Sequence, residues 1–310
     1  MKVLFLLSLF LLLKAHAMSP GKWNEYSRHP EDNIKHLIEL LSRSSTGREL
    51  LAEAKTKAEQ HGKTLLDVIK PGQVSITDTT LTRRFSTSEP GSITFHEVSV
   101  VYIDKDLSTY DALLDLAHEL THYIYRQPFN PYKKDFSLQP FISSTIEGTG
   151  GEVDAYLMEC RVMRELYSSE VKQRYNCQEI VDPNTSTLSR DLAINKFYRV
   201  GEHYQSFHNK LKSRNIEAPR DLSGGEPVFI SSAYGLPYPV AAFYEFVSIL
   251  NRVCENDKNR LSYMKENLGR SPASKGSDEV IFQNIKISYD HRCGSLDSYL
   301  ALVDDSAAQR

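Results

Sequence analysis

The chain has 310 residues, 40% hydrophobic and 25% charged, with a formal net charge of −3. That length is enough for one large domain or two modest ones, and the chain has no low-complexity region or obvious internal repeat. A mildly acidic composition with no long basic tract gives no electrostatic footprint for nucleic acid or for an anionic membrane as a partner.

Residues 1–17 read as an export leader. Lys2 supplies the positive start, Val3 to Leu13 is an unbroken apolar run, and Ala15-His16-Ala17 is a small-x-small cleavage site. The run falls short of the roughly 20 residues that span a bilayer, and no later stretch approaches that length. The expected mature chain starts near Met18, is secreted or periplasmic, and keeps no stable membrane span. Four cysteines suit an exported chain. Of the three possible pairings, Cys160 with Cys177 and Cys254 with Cys293 closes the shorter loops and is preferred.

Glu31–Leu41 and Gly47–His61 carry the spacing of amphipathic helices, parted by a Ser-Ser-Thr-Gly turn. The helical stretch from Asp32 to Lys70 either belongs to the fold or covers a cleft. Val74–Asp78 reads as a short strand. Ser92–Asp104 is β-branched and aromatic and reads as one or two strands. Ser108 or Thr109 caps the next helix, with Asp111 in its first turn. Its apolar set Leu113, Leu116, Ala117, Leu120 and Ile124 recurs every three or four residues, and it should end near Arg126, before Pro128.

A loop broken by Pro128, Pro131 and Pro140 follows. A second long helix is expected from Glu152 to about Arg174, and a polar, aromatic one from Thr187 to Ser213. Pro219–Pro239 reads as a loop and Val240–Val253 as a helix, with helical character again at Asp278–Ile287 and Leu296–Val303. A composition shift near residue 219 suggests two parts: residues 18–218, catalytic with N-terminal helices, and 219–310, helical and separable or within the same domain.

The most informative segment is His118-Glu119-Leu120-Thr121-His122, on the first long helix after the strands. A helix advances about 100° per residue, so His118 and His122 lie one turn apart on one face and can reach one ion near 2 Å. Glu119 points round the helix from them and can touch a water at the ion, as a general base does. Two imidazoles do not fill such a site, and no third histidine follows closely. A downstream carboxylate is required. Glu152 ranks first, thirty residues on, at the start of a helix on which Ala155 permits close approach; Glu147, Asp154 and Glu159 are the alternatives.

His118-Glu119-Leu120-Thr121-His122 together with Glu152-Val153-Asp154-Ala155 resembles the glutamate-type zincin metallopeptidases. The resemblance covers residues 92–172. It implies an α+β fold with a small mixed sheet packed on the active-site helix, and Zn2+ held by His118, His122 and Glu152. It also implies a polypeptide substrate laid along an edge strand, which by position would come from Ser92–Asp104. One departure stands out: many relatives place an aspartate four residues after the ligand glutamate, where it steadies the first histidine, and here that residue is Tyr156. Asp115, one turn before His118, is an alternative orienter.

Such a site hydrolyses amides, with Glu119 taking and returning the proton, and a further donor faces the oxyanion. Candidates are His203, His208, Tyr234, Tyr238 and His291. Tyr234, in a pliant Ser-Ser-Ala-Tyr-Gly stretch, ranks first and His203 second, with His96 on the expected strand behind them. The expected function is that of an exported zinc endopeptidase. The alternatives are a narrow-specificity effector, a cell-wall amidase, or a binding protein that retains zinc without turnover.

Overall fold

A computed structural model describes residues 21–86, 92–127, 129–133, 136–167, 176–219, 221–268 and 275–307. The expected leader, and the expected end of the second long helix at 168–174, lie outside these residues.

Two helices open the described chain, α1 (Pro30–Leu41) and α2 (Ser45–Gln60). Pro30 starts α1 with Glu31 and Asp32 in its first turn, and the Ser44 hydroxyl caps α2 by accepting from Gly47 N. Ile34, Leu37, Leu40, Leu41, Leu50, Ala54 and Ala58 are buried on their inner faces. Both helices pack on the motif helix. They therefore belong to the fold, and none of their residues lines the cleft described below.

A short α3 (Leu65–Val68) leads directly into β1 (Ile69–Gly72), followed by β2 (Ile76–Phe85) and β3 (Ile93–Asp104). The sheet order is β1-β3-β2, with β1 parallel and β2 antiparallel to β3. Register aligns Ile69 with Val101, and Thr77 with Val101 from the other side. β1 covers β3 only at Val101–Asp104, so among the described residues Ile93–Val100 are paired on the β2 side alone. Among the described residues β2 pairs with β3 alone, so the outer edge of β2 is open as well. β2 is twice the expected length because its Thr77, Thr79, Thr80 and Thr82 favour strand without forming an apolar alternation.

The motif helix α4 (Thr109–Tyr125) lies on this sheet. The Ser108 hydroxyl caps it by accepting from Asp111 N at 3.2 Å, and Leu113, Leu116, Ala117 and Leu120 share one core with Ile69, Val101 and Ile103. Next come α5 (Leu138–Ile146) and α6 (Glu152–Leu166), the latter packed along α4. A 3-10 turn at Asn176–Ile180 is tied to α6 by the disulfide Cys160–Cys177. The helix expected from 187 to 213 is two helices, α7 (Arg190–Phe197) and α8 (His203–Ser213), parted where Gly201 adopts a φ of +55°.

The loop expected at 219–239 contains a small hairpin, β4 (Ile230–Ser231) with β5 (Leu236–Pro237). It feeds α9 (Tyr238–Leu268), much longer than its sequence signal, then α10 (Lys275–Cys293) and α11 (Leu296–Ala307). Cys254–Cys293 joins α9 to α10, so both preferred cysteine pairs are formed. Asp257 on α9 is buried against Arg83 of β2 at 2.7 Å and against Arg292 of α10. The fold is α+β with a mainly helical C-terminal part. No helix among the described residues is long and apolar enough to cross a membrane.

Candidate metal centre

A cleft of about 760 Å³ opens between the start of β2, the polar face of α4, the start of α6 and the 228–238 hairpin. His118, Glu119 and His122 line it together, and their ligand atoms lie within 4.8 Å of one another. Glu152 reaches across from α6. Its carboxylate stands 3.3 Å from His118 Nε2 and 3.5 Å from His122 Nε2. In a tetrahedral site with bonds of about 2.05 Å, neighbouring donor atoms are about 3.3 Å apart. Glu152 Oε2 to His118 Nε2 and Glu152 Oε1 to His122 Nε2 are both close to that spacing, and the set His118, His122 and Glu152 can coordinate a metal.

The far side of each ring supports the same assignment. His118 Nδ1 is 3.2 Å from Glu159 Oε2, and His122 Nδ1 is 2.8 Å from the Gly150 carbonyl. Each contact turns Nδ1 to its acceptor and Nε2 toward Glu152, the ring orientation metal-ligating histidines adopt. The pocket also favours positive charge. Burial opposes ionisation of His118, but hydrogen bonds to Glu152 and Glu159 outweigh it and hold the imidazole well above its ordinary value. Burial would likewise raise Glu152, yet the charge on His122 and the His118 hydrogen bond hold its carboxyl well below the usual range.

The orienter of His118 is thus Glu159, seven residues after Glu152, and neither Tyr156 nor Asp115 has that role. Two helical turns put Glu159 on the ligand's own face, so α6 supplies both contacts to one imidazole. Tyr156 instead packs its ring on Phe229 and Phe197, at centroid distances of 4.5 and 6.0 Å. Asp115 is desolvated, its carboxyl pushed up to about 7 against a hydrogen bond from Ser75.

The other ligand candidates are engaged elsewhere. Glu147 accepts from Ser143 Oγ at 2.8 Å and from Tyr198 OH at 3.1 Å. Asp154 accepts from Gly150 N at 3.0 Å and Arg190 Nε at 3.1 Å. Asp154 therefore fixes the turn whose carbonyl holds His122. That turn needs glycine: Gly150 has a φ of +67°, and a Cβ there would stand 2.4 Å from Arg126 N.

Glu119 is buried and held from the sheet. The Thr77 hydroxyl is 2.8 Å from both its backbone oxygen and its Oε2. Of the oxyanion candidates, Tyr238 lines the cleft, and burial beside Glu152, Glu119 and Glu159 holds its phenol well above the usual value. Tyr234 lines the same cleft but is 40% exposed. His203 heads α8 beyond the Gly201 break and is not among the cleft-lining residues; nor are His96, His208 and His291. His208 stacks on Tyr204 instead.

Sequence reasoning did not single out Thr77, and it missed the Gly150 carbonyl. The Gly148-Thr149-Gly150-Gly151 run before the ligand glutamate was the available signal for the latter, since clustered glycines mark a tight backbone approach. No family model matches the chain, and neither does any curated protein or solved structure.

Proposed function

We propose that this chain is an exported zinc-dependent metallopeptidase, and that His118, His122 and Glu152 hold the ion. The observation that carries the reading is the convergence of two Nε2 atoms on Glu152, 3.3 and 3.5 Å away, with both Nδ1 atoms already engaged. A mixed nitrogen and oxygen donor set with three protein ligands is the pattern of a catalytic rather than a structural zinc site. When bound, zinc supplies Lewis acidity, lowering the pKa of a water and polarising the scissile carbonyl.

The chain's own groups do the rest. Glu119 accepts a proton from the attacking water on its carboxylate and returns it to the departing amine nitrogen. The Tyr238 hydroxyl keeps its proton and donates to the oxygen on which charge develops. Substrate lies extended along the open edge of β2 at Ser75–Thr77, where backbone pairing fixes direction and leaves both ends free, which favours internal cleavage. The rings of Phe197, Phe229 and Tyr156 form an apolar wall for one of its side chains.

Zinc content and hydrolysis of casein, an unstructured protein pool, test the reading in wild type, Glu119→Gln and Glu152→Gln. Glu119→Gln should keep zinc and lose at least about a hundredfold in turnover, within the range a general base contributes. Glu152→Gln should lose the metal. Equal activity in all three proteins would sink the mechanism. Zinc held by the wild type without any hydrolysis would favour a zinc-retaining binding protein, or an enzyme of narrow specificity.

A further inference from the structure

We propose that Thr77 is a positioning residue for Glu119, holding its carboxylate in the orientation from which it accepts a proton; the assignment rests on the peptidase reading above. A hydroxyl carries one proton, and that of Thr77 faces two acceptors of the same residue at 2.8 Å, the Glu119 backbone oxygen and Oε2. One contact ties the strand to the helix backbone and the other fixes the side chain to that backbone. With Oε2 engaged, Oε1 is the oxygen left to face a water in the cleft.

The contact is built by matched periodicities. Ser75 and Thr77 are two residues apart on an extended segment, which spaces their side chains by about 6.6 Å on one face. Asp115 and Glu119 are four residues apart on α4, a separation of about 6 Å along the axis. Ser75 and Asp115 line the cleft together with Thr77 and Glu119, so strand and helix run alongside each other where the Thr77 contact forms. Ser75 is itself fixed to β3, its hydroxyl accepting from Asp104 N at 3.0 Å.

The sheet does not need the Thr77 hydroxyl. β2 is registered against β3 from Ile76 to Phe85 by backbone pairing, and valine would keep the β-branched shape there. What the hydroxyl adds is order in a glutamate that has three rotatable side-chain bonds and must meet its water within hydrogen-bond reach.

The test uses the full chain loaded with zinc, in wild type, Thr77→Val, Thr77→Ser and Glu119→Gln. Casein hydrolysis gives kcat and KM, and metal analysis gives zinc stoichiometry. In the cobalt-loaded protein, visible spectra follow the binding of acetohydroxamate, whose N–O–H proton needs an acceptor beside the metal, and of azide, which carries no proton. Thr77→Val should keep full zinc and a KM within about twofold, while kcat falls about tenfold or more; Thr77→Ser should restore most of the loss. Acetohydroxamate should bind about tenfold more weakly to Thr77→Val and to Glu119→Gln, with azide binding unchanged.

A Thr77→Val kcat within about twofold of wild type, beside an inactive Glu119→Gln, overturns the Thr77 role and leaves the peptidase reading standing. A wild type that holds zinc and cleaves nothing overturns the peptidase reading on this substrate. The hydroxamate comparison then decides Thr77 alone, and unchanged binding in Thr77→Val overturns it.

Discussion

Removing the carboxylate of Glu159 should weaken metal binding without touching a ligand. Glu159 Oε2 meets His118 Nδ1 at 3.2 Å, longer than the 2.7–2.9 Å typical of charge-assisted bonds. Both side chains keep slight contact with solvent, at 13% and 14% exposure. A buried hydrogen bond to a charged group contributes about 1.5–3 kcal/mol, and the length and partial exposure place this one at the lower end, about 1.5 kcal/mol. That is about a tenfold rise in the zinc dissociation constant for Glu159→Ala, within the scale for groups that orient metal-ligating histidines. Glu159→Gln keeps a neutral acceptor and should lose only about threefold. The assay is competition between the metal-free protein and a chromophoric chelator at pH 7. Zinc binding by Glu159→Ala within about twofold of wild type would refute the assignment, and a larger loss in Asp115→Asn than in Glu159→Ala would transfer the role to Asp115.

Two further perturbations probe the frame around the site. Gly150→Ala and Gly235→Ala both force a residue with a Cβ into a positive φ, of +67° and +63°, but only the Gly150 Cβ meets backbone, 2.4 Å from Arg126 N. Gly235→Ala should cost roughly 1–2 kcal/mol in urea unfolding from the left-handed backbone alone. Gly150→Ala should cost more and also weaken zinc binding, because the displaced carbonyl is the acceptor for His122; equal costs at the two positions would argue against that approach. Asp257→Asn leaves Arg83 and Arg292 buried without their counter-charge, and should lower the unfolding free energy by about 3–5 kcal/mol. A loss below about 1 kcal/mol would place that cluster in contact with water.

The proposed ligand set could be read from the chain because its parts are written at helical spacing. His118 and His122 one turn apart, the Ser108 cap and the apolar stripe from Leu113 to Ile124 specify α4 and its polar face locally. Glu152 followed from valence and from the small Ala155 behind it. The supporting contacts were hidden because they depend on how elements meet. Glu159 orients His118 only because α6 lies along α4, and Thr77 reaches Glu119 across 42 residues of chain. Part of the sheet was hidden for a related reason: β1 is four residues with no alternation, so its pairing with the end of β3 left no sequence mark. Tyr234 and His203 ranked high for local pliancy and residue type. The hairpin at 230–237 leads into α9 and sets both Tyr234 and Tyr238 along the cleft, whereas His203 does not line it.

The open-ended sheet also bears on how the protein behaves at high concentration. A bare strand edge is a template for pairing with another copy, and natural sheets blunt it with brevity, proline or charge. β1 has only four residues and contains Lys70 and Pro71, the latter with no N–H to offer. β2 is long, but Asp78 and Arg84 stand exposed along it. Edge-to-edge stacking is thus discouraged along most of both strands. The stretch at Ser75–Thr77 remains, and there the strand lines the cleft. On the peptidase reading proposed above, colloidal stability and acceptance of an unfolded chain would fall to different lengths of one strand.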